Sequence, residues 1–322
     1  MRYHQLTENE RYQIYTLKKL GVTQKEIARH LNRNESTISR ELRRNQGLKG
    51  YRPQQAQQLS DQRRSTAKKA IKITKEIEVK IHHLIRLDLS PQQVVDYLRT
   101  EKIISLHHET IYQLIYAEKK LGNDLHQHLR IANKPYRKRY GSHDRRGKIV
   151  NRRSIDDRPR VVEQRSRIGD WEGDTVIGKS RRGALLTLVE RKTLYTLIVK
   201  LNGKNAQALA EAAIMALHPI RERVLTITFD NGHEFTAHEQ MAAALETDIY
   251  FAHPYSSWER GTNENMNGLI RQYFPKGTDL SDVTQQQINF VMDRLNNRPR
   301  ATRNFKTPNE LFWGQRADLL AA

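Results

Sequence analysis

The chain has 322 residues, 56 Lys+Arg against 36 Asp+Glu, a net charge of +20 and no cysteine. That length fits two or three domains, the missing cysteines exclude disulfides and thiolate zinc sites, and no run of about 18 apolar residues is present to span a membrane. The opening MRYHQLTENE lacks the apolar stretch of a signal peptide, which predicts a protein of the cytosol. The pairs His82-His83 and His107-His108 have no cysteine to complete a zinc finger and read as ordinary helix and cap residues.

Charge is distributed unevenly. Residues 1–160 hold 36 Lys+Arg against 17 Asp+Glu, whereas residues 161–322 hold 20 against 19. A basic half beside a neutral half predicts a nucleic-acid-binding arm joined to a domain with another task. In residues 1–50, LTENERYQIYTLKKLG reads as a helix burying Ile14, Leu17 and Leu20 and ended by Gly21. VTQKEIARHL follows, with Thr23 and Glu26 in capping-box spacing and Ile27, Ala28 and Leu31 inward. After a short turn, ESTISRELRRN turns Ile38 and Leu42 inward and leaves Ser36, Thr37, Arg40, Arg43 and Arg44 outward. This pattern predicts a helix-turn-helix whose last helix reads the DNA major groove. Residues 51–133 hold a second helical pair of similar form, opened by Ser90-Pro91, with Val94, Val95 and Leu98 on one helix and Ile111, Leu114 and Ile115 on the next. Its outer face is less basic, and a structural role competes with DNA contact. Residues 134–160 carry 11 basic and 3 acidic residues and read as a linker along phosphate backbone or a solvated tether.

From residue 161 to 322 the pattern changes to strands. DWEGDTVIGK, GALLTLVERKT and LYTLIVKL read as three consecutive strands, the last two joined near Lys192-Thr193. A helix, the strand VLTITFD, a helix, the strand DIYFA and terminal helices from about Trp258 to Tyr273 and Ser281 to Leu295 follow. Behind an all-α helix-turn-helix part, this order predicts an α/β sheet of ribonuclease-H-like type. In the first strand Asp170, Glu172 and Asp174 alternate along one face, a crowding that repels itself unless a cation or proton relieves it. Asp230 ends VLTITFD, where open α/β sheets place ligands. Glu264 lies early in a helix, with Asn267 and Arg271 at i+3 and i+7 on its face. Alone, each acid is more often a cap or surface charge; together they suit a hard cation.

The segments WEGDTVIG, TFDNGHEF and YSSWERGTNENMNGLIRQYFPKGTDLS resemble the DDE transposases of the insertion sequence 30 family, bacterial mobile elements with a retroviral-integrase-like core. Asp230 and Glu264 have 33 residues between them, as that family does, and Arg271 supplies its basic residue seven after the glutamate. IARHLNRNESTISRELRRN, LSPQQV, HHETIY and NNRPRATRNFKTPNELF extend the likeness over nearly the whole chain. The resemblance implies a catalytic, metal-ligating triad of Asp174, Asp230 and Glu264 with two Mg²⁺ or Mn²⁺ ions. It implies DNA binding by Ser36, Thr37, Arg40, Arg43 and Arg44, with Asn267 and Arg271 holding DNA near the metals. It also implies cleavage and joining of DNA at terminal inverted repeats, a target DNA as second partner, at least a dimer, and a place at the nucleoid of the bacterial cytoplasm. Where the family commonly has His before the motif's Trp, this chain has Asp170, a rival carboxylate, and Glu172 is a candidate to support the site. Trp258 and Tyr255 read either as core residues or as platforms for an unpaired base, and Glu234 as a helix or loop residue. A helix-turn-helix regulator with an inactive integrase-like domain, and a nuclease that cuts without joining, stay open at this point.

Overall fold

The computed structural model describes residues 5–67, 73–130, 149–201, 203, 205–254 and 256–321. The chain divides into two compact units, residues 1–74 and 75–322. In the first, α1 (Glu8–Lys19), α2 (Gln24–His30) and α3 (Glu35–Asn45) lead through a small hairpin, β1 (Gln46–Gly47) and β2 (Gly50–Tyr51), into α4 (Pro53–Thr66). Thr7 and Thr23 close capping boxes with Glu10 and Glu26, and Asn34 caps α3. Ile14, Ile27, Ile38 and Leu42 form the core, with Tyr51 and Ala56 from beyond residue 50. The unit therefore extends past the third helix. Leu20 departs from expectation: it is 73 % exposed. The buried place on α1 goes instead to Arg11, whose guanidinium pairs with Glu41 at 2.8 Å and donates to Leu6 O and Gln57. A fully partnered buried ion pair is tolerated where a lone charge is not.

The second unit opens with α5 (Lys75–Arg86), α6 (Pro91–Thr100) and α7 (His108–Lys120). Ser90 closes a capping box on α6 and His107 caps α7, while His82 Nε2 stands 2.6 Å from Glu118 of α7. Ile81, Leu84, Val94, Leu98, Ile111 and Ile115 are fully buried. These helices are part of one body with the sheet. Tyr97 Oη donates to Asp318 at 3.1 Å, Tyr273 Oη donates to Asp88 at 3.0 Å, and His83 Nε2 lies 2.9 Å from Leu319 O.

Most of the expected linker lies outside the described residues; from 149 onward it is built into the fold. Ile149 is buried, Arg153 O accepts Phe251 N, and Ser154 bridges to Phe251 in parallel. A short helix, α8 (Arg160–Gln164), then precedes the sheet.

The sheet contains β3 (Asp170–Ile177), β4 (Ala184–Glu190), β5 (Thr196–Leu201), β6 (Thr226–Phe229) and β7 (Asp248–Phe251), in the order β5-β4-β3-β6-β7. β3, β4 and β5 are antiparallel neighbours, and β6 and β7 join β3 in parallel. This strand order is the ribonuclease-H-like arrangement. α9 (Ala206–Leu217) and α10 (His238–Leu245) cover one face with Trp171, Ile227 and Phe229. The other face packs Val176, Leu185 and Val189 against α11 (Gly261–Tyr273) and α12 (Gln285–Asn296). α12 begins at a Thr284 capping box rather than at Ser281. The last helix, α13 (Pro308–Trp313), returns Phe312 to the first face.

Gly173, at the centre of β3, gives up its side-chain space to the Phe229 ring, which a Cβ there would overlap. Phe229 is fully buried and stacked on Phe235 at 4.2 Å, so it has nowhere to go. Gly173→Ala is expected to destabilise the second unit by about 1–3 kcal/mol, the ordinary cost of overpacking. Thermal unfolding of the two proteins tests this, and an unchanged midpoint would show that the ring yields.

Candidate active site

The three acids of β3 share one face, and each has its own arginine. Asp170 lies 2.9 Å from Arg167 and accepts the Thr226 hydroxyl. Glu172 is fully buried, 3.0 Å from Arg191, and accepts the backbone N–H of Asn263 at 3.0 Å. Asp174 faces Arg260, 3.7 Å away. Two of the three carboxylates are thereby committed to structural ion pairs, and Asp174 alone reaches solvent. It sits at the level where β3 runs past the end of β6, and Asp230 follows β6 by one residue. Arg260 Nη2 reaches Asp230 Oδ2 at 3.3 Å, and Gly232 N donates to Asp230 Oδ1 at 2.9 Å.

Asp174 is tightly oriented. Asn267, on α11, donates to its Oδ2 at 2.8 Å, and Thr175 N donates to its Oδ1 at 2.9 Å. The Thr187 hydroxyl, opposite on β4, contacts Asn267 Oδ1 at 3.1 Å and sets which way the amide points. Burial pushes the Asp174 carboxyl up to about 6 against the pull of Arg260, with Asp230 and Glu234 adding to the rise. Thr175 Oγ1 donates to Glu234 at 3.0 Å, which places that acid beside the pair.

Glu264 occupies the first turn of α11 and is exposed. Among the described residues, the one trio of His and carboxylate ligand atoms all within 4.8 Å of each other is Glu78, His82 and Glu118, so Asp174, Asp230 and Glu264 stand farther apart than that. Arg271 uses its guanidinium on backbone, donating to Ile177 O at 2.9 Å and Phe274 O at 3.4 Å. Trp258 is 74 % exposed and therefore no core residue; Tyr255 lies outside the described residues. The donor set fits a hard divalent cation: the oxygens are carboxylates, Asp174 and Asp230 are close enough to share one guanidinium, and that cation already marks where positive charge is favoured.

Sequence reasoning missed Arg260. Its spacing, four before Glu264 in WERGTNEN, was the available signal. In the first unit, Ser36, Arg40, Arg43 and Arg44 are exposed on α3 and Thr37 is half-buried. Ser36 Oγ is turned back onto Asn34 Oδ1 at 2.7 Å. α4 adds Arg63 and Arg64 to the cleft that Thr37, Arg40 and Arg44 line.

A helix-turn-helix unit and a ribonuclease-H-like unit in one chain define the class: a helix-turn-helix head joined to an α/β domain of ribonuclease-H-like fold. Residues 2–45 match the model of a helix-turn-helix domain family. The chain is 42 % identical over 309 residues, 95 % of each chain, to the transposase for insertion sequence element IS4351 of Bacteroides fragilis. It is 36 % identical over 327 residues, 95 % of this chain and 83 % of the relative, to the transposase InsI for insertion sequence element IS30A of Escherichia coli K12. Among solved structures, the catalytic core domain of BIV integrase is 19 % identical, with a TM-score of 0.35 over 46 % of this chain and 95 % of that one. The chain belongs to the insertion sequence 30 family of transposases.

The raised Asp174 carboxyl has a measurable consequence. Folded Asp174 holds its proton more tightly than the unfolded chain, whose carboxyl titrates near 3.8. Stability therefore falls as pH rises from about 4 to about 6, and the full cost is present above that. Asn does not titrate, so the stability of Asp174→Asn relative to the wild type should rise by about 3 kcal/mol through this window and stay level above it. Thermal unfolding from pH 4 to 8 in metal-free buffer checks this. A gain that does not vary with pH would contradict it.

Proposed function

We propose that this chain binds the terminal inverted repeats of its insertion sequence and catalyses metal-dependent DNA cleavage and strand transfer with Asp174, Asp230 and Glu264. The observation that carries the reading is the pair of aspartates on adjacent parallel strands, held around one cationic position and crossed by the helix that bears Glu264. Two Mg²⁺ or Mn²⁺ ions held by the three carboxylates would supply Lewis-acid activation of the attacking oxygen and charge neutralisation at the leaving one. Water is the nucleophile for cleavage and a DNA 3′-hydroxyl for joining, so no serine or tyrosine nucleophile is required. Asn267 fixes Asp174 Oδ2; Arg271, tied to the ends of β3 and α11, keeps those two elements in register and leaves positive charge toward DNA. Trp258, exposed just before α11, offers a ring on which an unpaired base can stack.

In the first unit, Thr37, Arg40, Arg43 and Arg44 form the reading face, Ser36 flanks it at the helix start, and the lysines and arginines around them meet phosphates. Bringing two element ends together requires at least two copies of the chain.

Asp174→Asn, Asp230→Asn and Glu264→Gln are each expected to abolish cutting and joining while leaving repeat binding intact, since each removes a ligand charge with little change of shape. Labelled repeat ends, a target plasmid and Mg²⁺ provide the assay. Joined products support a transposase, cuts alone a nuclease, and binding alone a regulator. Near-normal activity in any of the three variants removes that residue from the triad.

Recognition is tested separately. Arg40→Ala should weaken binding to the repeat by about 1–3 kcal/mol and to scrambled DNA by much less, as loss of a base contact does. Equal weakening on both DNAs would reduce Arg40 to a phosphate contact.

A further inference from the structure

Arg260 is buried to 9 % exposure beside the two aspartates. Nη2 lies 3.3 Å from Asp230 Oδ2, Nη1 lies 3.7 Å from Asp174 Oδ1, and Nη1 donates to Gly173 O at 3.1 Å. One monovalent cation thus spans the two carboxylates. Its hold is incomplete, because Nε is buried without a hydrogen-bond partner. The same deficit continues along the chain: Thr262 Oγ1 and both amide atoms of the fully buried Asn263 also lack partners, and α11 has no side-chain cap. Buried polar groups are nearly always satisfied in a resting native arrangement, and orphans are expensive. Four such atoms in four consecutive residues mark a segment that gains from rearranging. Glu264 is the next residue, exposed and not yet gathered with the aspartates.

Resting on the reading of Asp174 and Asp230 as metal ligands, we infer that Arg260 is an internal stand-in cation that competes with divalent metal for these carboxylates. Metal binding displaces its guanidinium and draws the exposed Glu264 side chain up to the pair. The two cations exclude one another. A guanidinium and a divalent ion in one low-dielectric gap repel strongly, and the oxygens that the arginine contacts are the ones the ion needs. Glu172 stays behind as the anchor, since it holds Asn263 N from a carboxylate already neutralised by Arg191. Arg260 is accordingly a positioning residue: it keeps the two acids together and folded while no metal is bound.

The test is a Mn²⁺ titration of the full-length, DNA-free protein, followed by loss of the free-ion electron paramagnetic resonance signal. Arg260→Gln, neutral and of similar reach, should bind Mn²⁺ at least about ten-fold more tightly than the wild type, an ordinary size for linkage between competing ligands. Arg260→Lys, which keeps the charge, should stay nearer the wild type. Equal or weaker affinity in Arg260→Gln overturns the inference. The double variant Arg260→Gln with Asp230→Asn separates the two levels. If it binds Mn²⁺ as Arg260→Gln does, the metal is elsewhere and the assignment of the ligands fails; if it loses the ion, the ligands stand and the comparison with the wild type decides. Should Arg260→Gln not fold, the wild type still answers. Its Arg260 Nε–Hε resonance, assigned by its absence in Arg260→Lys, should shift in step with Mg²⁺ binding. A resonance unmoved at saturating Mg²⁺, as a purely structural arginine would give, overturns the inference.

Discussion

The structure of the second unit depends on how three carboxylates on one face of β3 are neutralised. β3 is the central strand, hydrogen-bonded on both sides, and Asp170 and Glu172 are completely buried on it. Charges in that position persist only with partners. Arg167 arrives from the residues just before the strand, Arg191 from the turn between β4 and β5, and Arg260 from the approach to α11. Each pairing ties a different segment to the same strand, so the electrostatic requirement of one octapeptide also organises the loops around it. The third pairing differs in kind. It is longer, it is shared with Asp230, and its acid is the one that reaches solvent.

Glu172 shows how the same acids divide structural and chemical work. By accepting Asn263 N it fixes where α11 begins, and Asn267, one turn later, then falls opposite Asp174. The helix is therefore registered on the strand by a buried acid two residues before the one that reaches solvent. A carboxylate beside a proposed metal ligand need not touch the ion to matter to the site.

Much of this was legible in the residues. Strand alternation, the 3.6-residue apolar pattern and the capping boxes placed the sheet, the helix-turn-helix and most helices, because these are local signals. Ionic partners are not local. Nothing in VERKT announces that Arg191 will meet Glu172, and Arg260 is separated from Asp174 by 85 residues of intervening chain. Leu20 was misplaced because an apolar residue at helical spacing was trusted over the helix end, where Arg11 finds Glu41 and the core closes without it. The Arg-rich stretch before α8 looked like a tether by composition; its backbone hydrogen bonds to β7, which make it part of the fold, leave no trace in composition.

That stretch closes an edge. β7 is the outermost parallel strand, and such a strand normally exposes a row of amides and carbonyls on which foreign chains can add. Here Phe251 N is already given to Arg153 O, the Ser154 bridge extends the pairing, and the Arg153 guanidinium lies 4.9 Å over the Tyr250 ring while contacting Asp248. A fragment beginning only at α8, without Arg153 and Ser154, would therefore lose more than a connector. It would bare a short apolar ribbon, Ile249, Tyr250 and Phe251, and turn a sheet that ends in its own sequence into one that recruits its neighbours.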